Sequence, residues 1–237
     1  MNDALTLTVQ AMHTDLQRVE ALSHNMSNAT TPGYRRQVNV TRPFLEHMNP
    51  PEGTTRIQGS GPTVDLSIGA IKQTHRALDL AIQGSAFFVV QGPTDPAYTR
   101  QGDFQIDSQG RLATTSGYPV LGQQGEITVG SGAIEIDQHG LIKVDGRPID
   151  TLRLVKFDSD IQMKSLGNNL LVPIKTAEPV DDKNVTILSG SLEAANVVPM
   201  REMVSLMETM RHFEASQRLV QAYDEAVGKS IQKLGEF

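Results

Sequence analysis

The amino-acid sequence predicts an α+β protein: a hairpin-rich, all-β middle domain flanked by long N- and C-terminal α-helices that pack as a coiled-coil-like element. Three observations carry that prediction. Apolar residues recur at helical spacing at both ends of the 237-residue chain. Between the ends the apolar period changes to two, with glycine punctuation. The first helical stretch is then stopped hard by "NMSNATTPGY" at residues 25–34, which crowds asparagine, hydroxyl residues, proline and glycine together.

The N-terminal stripe runs Leu5, Val9, Met12, Leu16 and Val19, continuing to Met26 with Leu22 at its edge, in the alternating four-and-three spacing of a heptad seam. Asp3 is a candidate N-cap, because its carboxylate can accept from free N–H groups of the first turn. At the stop, Pro32 disfavours α geometry at Thr31 and Gly33 permits positive φ. Pro32 followed by Gly33 suits a type II turn, and Asn28, Thr30 and Thr31 can bond the backbone freed there. Residues 41–63 are rich in proline and glycine, show neither period, and read as an extended connector.

Period two takes over with Val64, Leu66 and Ile68, then Leu78, Leu80 and Ile82. "AFFVVQG" is a continuous apolar run bounded by glycine, as expected for a strand buried on both faces. Two hairpins echo each other, "FQIDSQGRLATTSGYPV" at 104–120 and "IEIDQHGLIKVDGRPI" at 134–149. In each, an aspartate (Asp107, Asp137) can bond the local backbone, and a glycine three residues on (Gly110, Gly140) supplies positive φ.

The C-terminal stripe is stricter. Leu206, Phe213, Val220, Val227 and Leu234 lie seven apart, with Met203, Met210, Gln217, Asp224 and Ile231 in the companion position. Pro199 suits the first turn, Glu202 the positive end of the helix dipole, and Lys229 and Lys233 the negative end. Gln217 and Asp224 read as polar positions that set register. The expected divisions are therefore 1–35 for the first helix and its turn, 36–76 for the connector, 77–189 for the β domain and 190–237 for the second helix.

Composition narrows the function. Net charge is −6, and beyond Arg35-Arg36 there is no basic patch, so nucleic acid is not an expected partner. Without cysteine there is neither a disulfide nor a thiolate nucleophile. The start "MNDALTLTVQ" lacks the basic region and unbroken apolar run of a secretory signal peptide. "GSGPTV" lacks the third glycine and the following helix of a dinucleotide loop, and the six histidines show no metal-ligand spacing. No catalytic site, cofactor, metal or small-molecule substrate is expected, and turn aspartates such as Asp107 and Asp137 are read as structural.

Four stretches resemble the flagellar rod and hook family, the axial proteins of the bacterial basal body, in family order. "NMSNATTPGYRR" resembles its N-terminal signature through Asn25, Asn28, Thr31, Gly33, Tyr34 and Arg35. "LDLAIQGSAFFVV" and "YTRQGDFQIDSQGRLATTSGYPVLG" resemble the start of its β domain. "LEAANVVPMREMVSLMETMRHFE" resembles its C-terminal signature through Leu192, Glu193, Asn196, Val197, Glu202, Met203, Val204, Arg211, Phe213 and Glu214. Thr30, Ala86, Ala195 and Val198 depart from the residues usual there. The resemblance is nearest to a proximal-rod subunit, with a distal-rod or hook subunit next. It implies a non-enzymatic, torque-transmitting subunit in the periplasmic rod, exported by the flagellar type III apparatus without cleavage. Its partners would be copies of itself and other rod subunits, with the terminal helices in an inner tube. A trimeric β-type module binding cell wall is the rival from another class; it lacks the exposed aromatic platform such modules use, since tryptophan is absent.

Overall fold

The computed structural model describes residues 2–39, 62–130, 132–157, 161–174, 180–181 and 185–235. They form two compact units, one made of residues 1–27 with 198–237 and the other of residues 28–197. No helix among the described residues is long and apolar enough to cross a membrane.

The first unit is a pair of helices, α1 (Asn2–Ser27) and α2 (Pro199–Gly235). Because α1 already begins at Asn2, Asp3 lies inside its first turn and does not occupy the N-cap position expected of it. Proline opens α2 where its missing N–H is no loss, and the Val198 carbonyl accepts from the N–H groups of Arg201 and Glu202 at 3.0 and 3.2 Å. The helices run antiparallel. Asn25 near the end of α1 meets Glu202 in the first turn of α2, while Asp15 meets His212 further along.

The second unit is built of antiparallel strands. Its largest sheet has six, in the order Met163–Gly167, Leu170–Pro173, Pro96–Thr99, Phe87–Gln91, Leu154–Lys156 and Val180–Asp181. A three-stranded sheet orders Arg147–Thr151, Leu141–Val144 and Ile134–Ile136, and four two-stranded ribbons complete the described pairing. The strand Phe87–Gln91 is buried on both faces, as its unbroken apolar run predicts. Phe88 and Val90 enter the larger core with Leu80, Ile82, Phe104 and Ile142. Phe87 and Val89 enter a second core with Tyr98, Val155, Phe157 and Met163. Edge-to-face ring pairs fill both cores, Phe88 on Phe104 at 5.0 Å and Tyr98 on Phe157 at 4.8 Å.

The two echoed hairpins fold alike. The Asp107 carboxylate accepts from the N–H groups of Gln109 and Arg111 at 2.8 and 2.9 Å. The Asp137 carboxylate accepts from those of His139 and Leu141 at 2.9 and 3.0 Å. Gly110 and Gly140 have φ of 75° and 81°. Both aspartates are thus held by turn backbone.

Three further features differ from expectation. Residues 28–35 and 190–197, grouped with the helices above, pack within the β-rich unit. The described part of the connector is also built into that unit. Gln37–Val38 pairs with Thr63–Val64, and Ile71–Gln73 pairs with Ser191–Glu193. The rest of it, residues 40–61, lies outside the described residues. The alternation Val64, Leu66, Ile68 is not one strand, since pairing lapses after Val64 and Ile68 is exposed.

Candidate functional site

The helix pair places the expected seam in two different settings. On α1, Leu5, Met12 and Val19 are half-buried against α2, but Val9 and Leu16 are 54% and 53% exposed. On α2, Leu206, Phe213, Val220 and Val227 are half-buried as expected. Their companions are not: Met203 and Met210 are 45% and 51% exposed, and Gln217 and Asp224 face solvent. The companion line instead runs one residue earlier, through Glu202, Thr209 and Ser216, all buried, and half-buried Tyr223. The side chains of Ile231 and Leu234 lie outside the described residues.

The physical reason is a polar contact line. The Asn25 amide donates to the Glu202 carboxylate at 3.1 Å, with both residues fully buried. Nδ1 of His212 lies 2.6 Å from the Asp15 carboxylate, which is buried. A buried carboxylate left without a donor costs more than an exposed methyl group, so these pairings fix how the helices are rotated. One residue turns a helix by about 100°, enough to carry Met203 and Met210 out of the contact once Glu202 and Thr209 occupy it. The apolar stripes therefore flank the polar line, and their outer members remain open. Gln217 and Asp224 consequently set no register within the pair.

The signature turn belongs to the β-rich unit, with one exception. Asn25, expected in the turn, sits in the last two turns of α1 and reaches α2. Beyond α1, the N–H of Thr31 donates to the Asn28 carbonyl at 3.0 Å, and the Thr31 hydroxyl donates to the Asn28 side-chain oxygen at 3.2 Å. The N–H of Tyr34 then donates to the Thr31 carbonyl at 3.3 Å, and Gly33 has φ of 66°. That bond and that dihedral are those of a type II turn with Pro32 leading and Gly33 following, as expected. Tyr34 is buried.

The turn is tied to the end of the β-rich unit. The Gly33 N–H donates to the Glu193 carbonyl at 2.7 Å. The Arg36 N–H donates to the Asn196 side-chain oxygen at 2.6 Å, while the Asn196 amide donates to the carbonyls of Asp65 and Ser67. Beneath it lies a buried charge cluster, in which the Glu193 carboxylate stands 2.7 Å from Arg35 and 3.1 Å from Arg100. All three side chains are about 1% exposed. Arg100 also donates to the carbonyls of Ala86 and Gly84, and its guanidinium lies 5.6 Å from the centre of the Phe87 ring. Burial pushes the Arg100 guanidinium down to about 10, opposed by Glu193 and reinforced by Arg35. Burial also lowers Arg35, again against Glu193.

Sequence reasoning missed this cluster. From the sequence, Arg35 and Glu193 stand out only through the family resemblance, and Arg100 only as one residue of a resembling stretch. Local sequence offers no signal for it: Arg35 follows a turn, Arg100 stands between Thr99 and Gln101, and Glu193 ends a short strand, all places where charge is ordinarily exposed. Their pairing, across most of the chain, was not readable from spacing.

Comparison with known proteins matches a stretch of the β-rich unit and the C-terminal region. The profile described as the flagellar hook protein FlgE/F/G D1 domain matches residues 81–144, and that of the flagellar basal body rod FlgEFG protein C-terminal region matches residues 188–233. The flagellar basal-body rod protein FlgF of Salmonella typhimurium is 31% identical, with 99% of each chain covered. FlgF of Rhizobium meliloti is 31% identical over 92% of each chain. The basal-body rod protein FlgG of Buchnera aphidicola from Acyrthosiphon pisum is 28% identical, covering 89% of this chain and 92% of its own.

Proposed function

The chain belongs to the family of flagellar basal-body rod proteins and is a structural subunit of the rod, and from that premise we propose that its place is the proximal rod, where its terminal helices join it to neighbouring subunits. The 31% identity to FlgF of Salmonella typhimurium over nearly the whole of both chains, against 28% to FlgG of Buchnera aphidicola, supports the proximal position over the distal one. Export by the flagellar type III apparatus and residence in the periplasm belong to the same reading, as does the absence of enzymatic activity. The trimeric wall-binding module has no comparable support.

The observation that carries assembly through the helices is the outward placement of apolar side chains around a polar line. In an ordinary two-helix hairpin the largest apolar residues face the partner helix. Here Val9 and Leu16 on α1, with Met203 and Met210 on α2, remain half-exposed while Asp15, Asn25, Glu202, Thr209 and Ser216 are buried. Each outward side chain is already about half covered, so full cover by a neighbouring subunit adds about 0.7–1.5 kcal/mol. The seam as a coiled-coil-like element thus forms between copies, and its inner members Leu5, Met12, Val19, Leu206, Phe213, Val220 and Val227 steady the pair.

Leu16→Asp tests this. The residue is exposed, so thermal unfolding of the free subunit should shift by no more than ~0.5 kcal/mol. Burying the new carboxylate between subunits should cost at least ~2–3 kcal/mol, some 30- to 150-fold in binding. Secreted subunit is therefore expected without subunit in isolated basal bodies. Wild-type incorporation would show that this face of α1 does not carry assembly.

A further inference from the structure

The outward face of α2 is chemically unlike the rest of the molecule. Four of the nine methionines fall between residues 200 and 210, at spacings of three, four and three. Met200, Met203, Met207 and Met210 are 71%, 45%, 49% and 51% exposed. The inward line of the same helix uses Leu206, Phe213, Val220 and Val227, none of which carries sulfur. Met163, in the smaller β core, is fully buried. An aliphatic stripe of leucines would present the same apolar area and favour helix as well. Methionine adds a flexible side chain and a thioether open to oxidation.

We propose that this methionine face is a modification site, at which two-electron oxidants of the peroxide class convert the exposed thioethers to sulfoxides and so switch the surface from apolar to polar. In each event a sulfur lone pair attacks one peroxide oxygen. The S–O bond forms as the O–O bond breaks, sulfur loses two electrons, and the second oxygen leaves as water after taking up a proton. Thiol-dependent sulfoxide reductases reverse the change. A sulfoxide oxygen needs a hydrogen-bond donor that an apolar subunit contact does not provide, so oxidised subunit does not seat. This consequence rests on the reading above that α2 packs against neighbouring rod subunits; the chemistry at the four sulfurs does not.

The test has two arms. Purified full-length subunit is treated with dilute hydrogen peroxide, and each methionine is followed by peptide mass spectrometry. Met200, Met203, Met207 and Met210 should oxidise at least tenfold faster than Met163, and sulfoxide reductase should reverse them; equal rates overturn the proposal. In cells, the wild-type chain should enter basal bodies without sublethal peroxide and be left out with it, and a variant replacing all four by glutamine, a polar side chain of similar length, should be secreted yet left out. In treated cells, sulfoxide at these four positions should be enriched in the excluded chain over the seated one. Entry of the glutamine variant at wild-type level overturns the proposal, as does equal sulfoxide in seated and excluded chains. Absence of the wild-type chain from basal bodies would instead sink the rod reading, leaving the oxidation rates to decide the chemistry.

Discussion

Glu193→Gln is expected to destabilise the β-rich unit by about 3–5 kcal/mol, the cost of leaving buried charge without its partner. The substitution keeps the shape of the side chain. Its carbonyl can still accept from the Gly69 N–H, which lies 2.8 Å from the present carboxylate. What it removes is the negative charge shared by Arg35 and Arg100. Two buried guanidinium groups would then share no negative charge, and Arg35 already lowers the affinity of Arg100 for its proton. At 2–4 °C per kcal/mol for a unit of this size, melting should fall by about 10 °C. Thermal unfolding of the full chain, followed by circular dichroism in the strand region, reads the change. Arg100→Met should cost less than Glu193→Gln does by its charge, because Glu193 keeps Arg35. A loss below about 1 kcal/mol for Glu193→Gln would mean that water reaches the cluster.

What could be read in the sequence, and what could not, divides by the range of the interaction. The helical course of α1, the strand Phe87–Gln91, the paired turns at Asp107 and Asp137 and the turn at Pro32-Gly33 all follow from neighbours within a few residues. Local periodicity and turn chemistry contain that information. The helix contact line does not. Ranking by apolarity selects Met203 and Met210, whereas Asn25 and Asp15 select Glu202 and His212 by hydrogen bonding from another part of the chain. The placement of Gln37–Val38 against Thr63–Val64 likewise depends on a pairing across a segment with no period of its own. The Arg35–Glu193–Arg100 cluster is the extreme case, joining three points that only the finished fold brings together.

Gly33 gives the sharpest difference between sequence and structure. From sequence, only its dihedral matters, so Asn, which tolerates positive φ, should largely replace it while Val should not. The dihedral is as expected, φ of 66°. Space is the stronger constraint. A Cβ added at Gly33 would lie 2.3 Å from the backbone carbon of Arg100, 2.4 Å from its oxygen and 2.4 Å from the Gln101 nitrogen. These are backbone atoms in the strand connection that also carries Arg100 into the buried cluster, so they cannot swing aside as a side chain would. Gly33→Ala is therefore expected to cost about 1–2 kcal/mol for the dihedral and a further 1–3 kcal/mol or more for the displaced backbone. Gly33→Asn should fare no better, because its tolerance of positive φ does not remove its Cβ. Gly146 separates the two causes, with φ of 77° and nothing within 4 Å of an added Cβ. Gly146→Asn should be tolerated and Gly146→Ala should show the dihedral cost alone. Urea unfolding of the four variants, with the amounts of secreted and rod-bound subunit in cells, provides the comparison. Were Gly33→Asn as stable as wild type, the approach of Gly33 to the Arg100 backbone would have to be looser than the structure has it, and the dihedral alone would account for the glycine.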